Sequence, residues 1–262
     1  MKAKKIIKRI LKIAVIILGV FVLLFAINFI PTLNLKTNGM SIIKGNWVNV
    51  YYETEKAAAT DTFQLADKRA GELAKLLGIT KKQDINIYIY DKQSTMQTKK
   101  YGFIAPHLGL DWYIGDNIGT NVILTSPANP GKVHDYDNNK NAVLHEMVHA
   151  YNSSLNNHMT YWVDNGLAGY LSQQIPNKDL CNYCPIPTLK QTQVSGIIAL
   201  ITFENFGGYE YSYTYIQYLV ETYSWDKVVQ FAKSGDYKGA FGIGESEIYS
   251  GWVKYVRTHY SR

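Results

Sequence analysis

His145 and His149 stand four positions apart with Glu146 beside the first, in the run VLHEMVHAYN. On a helix this spacing puts both imidazoles one turn apart on the same face. There two ring nitrogens can reach one tetrahedral zinc ion at about 2.0–2.1 Å. The neighbouring carboxylate then faces the coordination position left for water. The chemistry expected of such a set is hydrolysis. The metal lowers the pKa of its water towards neutrality, Glu146 takes the proton, and the hydroxide attacks a peptide carbonyl that the metal polarises. Glu146 next hands the proton to the leaving amine. The competing reading is a helix face whose histidines merely pack or meet solvent. The apolar flanks NAVL and AY oppose it, because a buried polar face without a partner costs free energy. The set predicts one bound Zn²⁺, with His145 and His149 as ligands and Glu146 as general base.

Such a centre needs a helix under the motif and a scaffold to hold it. Residues 141–152 carry a helical pattern through the motif. Upstream, WVNVYYE alternates like a strand, and Phe63, Ala66, Ala70, Leu73 and Leu77 recur at helical intervals up to Gly78. INIYIYD (85–91) and NVILT (121–125) alternate again and are rich in β-branched and aromatic residues, which predicts two more strands. After the motif the pattern is helical over 162–174, 188–202, 210–223, 225–233 and 245–258. Strands with one helix first and helices afterwards predict an α+β fold in two lobes over residues 46–262. A mixed sheet with helices forms the N-terminal lobe and helices form the C-terminal lobe, with a linker at 31–45.

The first twelve residues carry six bases and no acid, leaving 21 bases against 21 acids in the rest. A neutral body excludes a nucleic-acid partner, which requires a basic face. Residues 13–30 are apolar except for Asn28 and stop at Pro31, long enough to cross most of a bilayer core as a helix. The charge ahead of them keeps 1–12 cytoplasmic and exports the chain beyond Pro31. A cleaved signal peptide is the rival, but no convincing small-x-small site is present. The expectation is a retained single-pass anchor in the cell membrane with an extracellular domain. Cys181 and Cys184 form a C-x-x-C followed by Pro185 and Pro187, which reads as a loop with a local disulfide or two idle thiols rather than a redox pair. His107, His134 and His158 read as loop histidines.

HEMVHAYN followed by YWVDNGLAGYLS resembles the gluzincins, in which HExxH is followed on the next helix by a W-x-x-E-G-x-A-x-Y segment. SYTYIQYLVETYSWDKVVQFAKSGDY and AFGIGESEIYSGWVKYV look like the helical tail of the small peptidase-MA-like members of that clan. The resemblance covers most of the chain after about residue 45. It implies a zincin-like fold and a zinc metallopeptidase acting on peptides or proteins. Where the pattern supplies its ligand glutamate, this chain has Asn165, with Asp164 just ahead. A carboxylate binds zinc better than an amide, so Asp164 and Asn165 both stand as third-ligand candidates, and Asp164 has helix capping as its plain alternative. The resemblance further implies Tyr213 as an oxyanion-stabilising tyrosine and NVILT as an edge that pairs with extended substrate. The main alternative is a catalytically silent zincin-like binding module at the cell surface.

Overall fold

The structure, a computed structural model, describes residues 2–196 and 199–261. The chain opens with α1 (Lys2–Asn28), whose stretch Lys4–Asn28 is long and apolar enough to cross a membrane and is exposed along its length up to the half-buried Asn28 at its end. One 3₁₀ turn, Ile30–Leu33, follows with Pro31 in its first positions. Ser41–Lys44 (β1) lies in the segment expected to be a linker and pairs antiparallel with Val48–Tyr52 (β2). Helix α2 (Lys56–Leu76) then leads to Ile85–Tyr90 (β3), parallel to β2. Helix α3 (Gln93–Tyr101) precedes Gly115–Ile118 (β4) and Asn121–Thr125 (β5).

Among the described residues the strands form one sheet in the order β1-β2-β3-β5-β4, with β2, β3 and β5 parallel and both edges antiparallel. Val50, Ile87 and Val122 sit in register and are fully buried. An amide ladder fixes that register: Asn49 donates to Asn86 at 3.3 Å and Asn86 to Asn121 at 3.2 Å. Successive side chains along a strand face opposite ways. Ile85, Ile87 and Ile89 enter the main core with Ala66, Ala70 and Leu73 of α2, while Tyr88, Tyr90 and Ile123 enter a smaller one with Met96 of α3. The expected edge role of NVILT is corrected here. β5 is paired on both sides, and the edge on that side of the sheet belongs to β4, whose Gly-Asp-Asn composition gives no strand signal and takes its conformation from pairing with β5.

Helix α4 (Tyr136–Leu155) carries the motif and α5 (Tyr161–Leu171) follows, each begun by a side-chain cap from Asp135 and Thr160. Such caps contribute about 1 kcal/mol each. The chain ends in α6 (Leu180–Tyr183), α7 (Leu189–Thr192), α8 (Ala199–Asn205), α9 (Gly208–Thr222), α10 (Trp225–Ser234), α11 (Tyr237–Phe241) and α12 (Glu245–His259). The helix expected over 188–202 is divided into α7 and α8, with Gly196 at φ +87° between them; two of its residues lie outside the described ones. Trp162 and Trp252, both buried, meet edge to face at 5.4 Å and join α5 to α12. A Cβ on Gly166 would approach Ser212 O to 2.5 Å, so glycine there is what lets α9 lie against α5. The molecule is mixed α and β, and one continuous core runs from the sheet through α4 and α5 into the C-terminal helices.

Candidate functional site

From Ala142 to Asn152 helix α4 is buried on nearly every side between the sheet and α5, and His145, Glu146, His149 and Asn152 are the polar residues of that stretch. The His145 and His149 rings are 4.7 Å apart between centroids, with planes at 72°. Two imidazoles on one tetrahedral zinc have centroids roughly 5 Å apart, given Zn–N bonds of about 2.0–2.1 Å. Gln174 Oε1 lies 2.8 Å from His145 Nδ1. An amide oxygen only accepts, so Nδ1 carries the proton and the Nε2 lone pair of the neutral ring is left free. Asp164 Oδ2 lies 2.8 Å from His149 Nδ1, close as an ion pair but not aligned as a hydrogen bond. The other Asp164 oxygen accepts from Asn152 Nδ2 at 2.7 Å. Asp164 thus stands at the Nδ1 side of the His149 ring rather than at its Nε2 end, the side from which a carboxylate orients an imidazole.

Asn165 is buried, donates to Tyr161 O at 2.8 Å and lies within hydrogen-bonding reach of the His145 ring. Among the described residues no three His, Cys, Asp or Glu side chains are grouped to hold a metal. The donors that fit a divalent cation are the two imidazoles, with the Asn165 amide as the third protein group at hand. An amide oxygen is a weaker zinc ligand than the carboxylate of the gluzincin pattern.

Glu146 lies beneath the edge strand, where a Cβ on Gly115 would come within 3.1 Å of its Oε1. Burial raises its pKa, Asp116 and Asp164 push the same way, and His149 and Lys100 oppose. Burial and the neighbouring His149 lower His145 to about 3, so this ring is neutral. Burial also works to lower His149, but the carboxylates of Asp164, Glu146 and Asp116 outweigh it and bring it to about 9. Asp164 is drawn down by the His149 charge against the effect of burial. Lys100 pairs with Asp116 at 2.6 Å and donates to Asn117 O at 2.6 Å, pinning β4 over the site. A recess of about 190 Å³ opens beside His149, walled by Asn117, Asn152, Asn156 and Asp164.

No protein-family model matches the chain, and no curated protein matches it. The geometry alone therefore carries the reading of this cleft. It brings together His145, Glu146, His149, Asp164 and Asn165 of the residues singled out by sequence.

It does not bring in Tyr213, whose ring packs on Tyr170 at 5.5 Å. Tyr209, one turn earlier on α9, stands 6.3 Å from the His145 ring and hydrogen-bonds Tyr161. The reason is the seating of α9 on α5 at Gly166 and Ser212, which turns the first turn of α9 towards the metal-ligand candidates. Gln174, Asn152, Asp116 and Lys100 also escaped the sequence reading. Asn152, seven residues beyond His145 on the same helix face, was within reach of a periodicity argument. His134 binds Trp112 O at 2.8 Å in the outer wall, and His158 stays in an exposed loop. Cys181 and Cys184 are unpaired thiols about α6.

Proposed function

We propose that the chain is a membrane-anchored zinc peptidase of the gluzincin type, with α1 as its anchor and its catalytic domain outside the cell. The observation that carries the reading is the pair of oxygens at the Nδ1 atoms of the two imidazoles, Gln174 Oε1 as a hydrogen-bond acceptor and Asp164 Oδ2 as an ion-pair partner, which leaves the other nitrogen of each ring for a metal. A zinc ion bound there would supply an acidified water and polarise the substrate carbonyl. Glu146 accepts the water proton and returns it to the leaving amine, and its raised pKa suits both halves of that task. Tyr209 stays protonated, since burial holds its pKa well above the ordinary value, and it offers an O–H to the developing oxyanion. The free edge of β4 can pair with an extended polypeptide through backbone groups. Asn165 favours a second reading, a zincin-like binding module without turnover.

Zinc titration of the full chain in detergent tests the metal. One equivalent is expected for the wild type, none for His145→Ala or His149→Ala, and weaker binding for Asn165→Ala. Unchanged binding in both histidine variants would refute the site.

Binding should also depend on pH. In the metal-free protein His149 holds its proton up to about pH 9, and zinc takes the neutral ring, so a proton is released. Affinity therefore rises with pH, by up to about tenfold per unit from neutrality to about pH 9, and flattens above. In Asp164→Asn the raising carboxylate is gone, so the flattening moves down towards the ordinary histidine range. Above the wild-type plateau the variant binds about 10–100-fold more weakly, having lost the partner that orients the ring. Chelator-buffered titrations read both effects. A wild-type affinity flat between about pH 6 and 9 would remove His149 from the ligand set.

A further inference from the structure

The polar residue that interrupts the apolar run clamps α1 to one loop of the domain. The Asn28 side chain donates to Tyr101 O at 3.2 Å and accepts from Ile104 N at 2.9 Å, and its backbone carbonyl accepts from Phe103 N at 3.1 Å. Gly102, at φ +83°, passes so close that a Cβ would collide with Asn28 O. The end of α1 is therefore fixed against the C-terminus of α3. The same loop turns Phe103, Ile104 and Leu108 outward, each more than half exposed, while Ile30 and Leu33 just past the helix end are 55% and 84% exposed. Scattered exposed apolar side chains are ordinary, but five gathered round the end of one apolar helix form a patch. The segment 102–109, GFIAPHLG, contains no acid to resist a lipid surface.

We infer that this patch, Ile30, Leu33, Phe103, Ile104 and Leu108, lies in the membrane interface and fixes the tilt of the domain on the bilayer. The occupant is lipid because the patch continues the apolar surface of α1: if Lys4–Asn28 fills the hydrocarbon, the hydrogen bonds of Asn28 hold residues 101–104 at the depth where that hydrocarbon ends. The same loop leads into the cleft. At most roughly 14 Å of chain separates the Cα atoms of Leu108 and Trp112. The Trp112 ring lies 6.3 Å from Tyr209, which lies 6.3 Å from His145. The cleft is thereby held near the lipid surface, and its substrates are polypeptides at that surface; this consequence rests on the peptidase reading, whereas the lipid contact rests only on α1 spanning the membrane.

The test uses the full chain in lipid nanodiscs, with Cys181→Ser and Cys184→Ser and a single nitroxide on Leu23→Cys, Ile104→Cys, Leu108→Cys or Lys238→Cys. The ratio of oxygen to nickel-complex accessibility is expected to be severalfold higher at 104 and 108 than at the exposed position 238, and highest at 23. Lipid-type values at 23 with water-type values at 104 and 108 would overturn the patch and leave the anchor standing. Water-type values at 23 would overturn both. Immobile labels at 104 and 108 shielded from both reagents would assign the patch to a protein partner and end the proposal. If the serine background fails to fold, Phe103→Trp in the otherwise native chain gives the reading by brominated-lipid quenching, where no quenching beyond that of the native tryptophans overturns it.

Discussion

Glu146→Gln is expected to lower peptide-bond hydrolysis by about 10²–10⁴-fold while leaving zinc bound, the size of effect that belongs to a positioned general acid and base. The substitution keeps shape and burial. It removes only the ability to take a proton, in a pocket where burial above all, with Asp116 and Asp164, presses the carboxyl towards its protonated form and His149 and Lys100 draw it back. Zinc should remain because Glu146 orients neither imidazole: the Nδ1 atoms face Gln174 and Asp164 instead. The measurement is mass-spectrometric cleavage of a peptide mixture by the full chain, with zinc content determined on the same sample. A rate within tenfold of wild type would dismiss Glu146 as the base. Zinc-loaded wild type that cleaves nothing would leave the binding-module reading in possession of the site.

The legibility of each feature in the sequence depends on how locally it is encoded. The spacing of His145 and His149 is a property of one helix, so the nearness of the two rings, 4.7 Å between centroids, follows from the helix alone. The strands Val48–Tyr52, Ile85–Tyr90 and Asn121–Thr125 carry their own β-branched and aromatic pattern. β4 does not: Gly115, Asp116 and Asn117 are turn-type residues, and only pairing with β5 and the grip of Lys100 make them a strand. Helix α3 was equally silent, because only Met96 and Gln97 of its nine residues are buried, too few to show a period. The supports behind the site were illegible for a related reason. Gln174 reaches His145 across 29 positions from beyond the end of α5, and Lys100 and Asp116 act on Glu146 from a strand and helix far upstream. Asp164 is legible as a carboxylate following the two histidines, but its side of the His149 ring depends on how α5 crosses α4.

The crossing of α5 and α9 decides the last expectation, a contrast between two tyrosines one turn apart. Both project from α9, and the gluzincin pattern favours Tyr213. Seating Ser212 over Gly166 instead commits Tyr213 to a tilted contact with Tyr170 and brings the Tyr209 ring to 6.3 Å from that of His145. Tyr209→Phe should therefore lower kcat by about 10²–10³-fold, the cost of removing one oxyanion donor. KM should change little, because the hydroxyl serves charge that appears only in the transition state. Tyr213→Phe should leave kcat near wild type. The ring of Tyr209 also packs against Trp112 and Phe203, contacts that phenylalanine preserves, and Tyr161→Phe, which gives up the same Tyr209–Tyr161 hydrogen bond but keeps the Tyr209 hydroxyl, should leave kcat near wild type. Steady-state kinetics on one cleaved peptide distinguishes the two. Equal losses in both variants would mean that α9 acts through packing alone, and a loss confined to Tyr213→Phe would return the role to the residue the motif indicates.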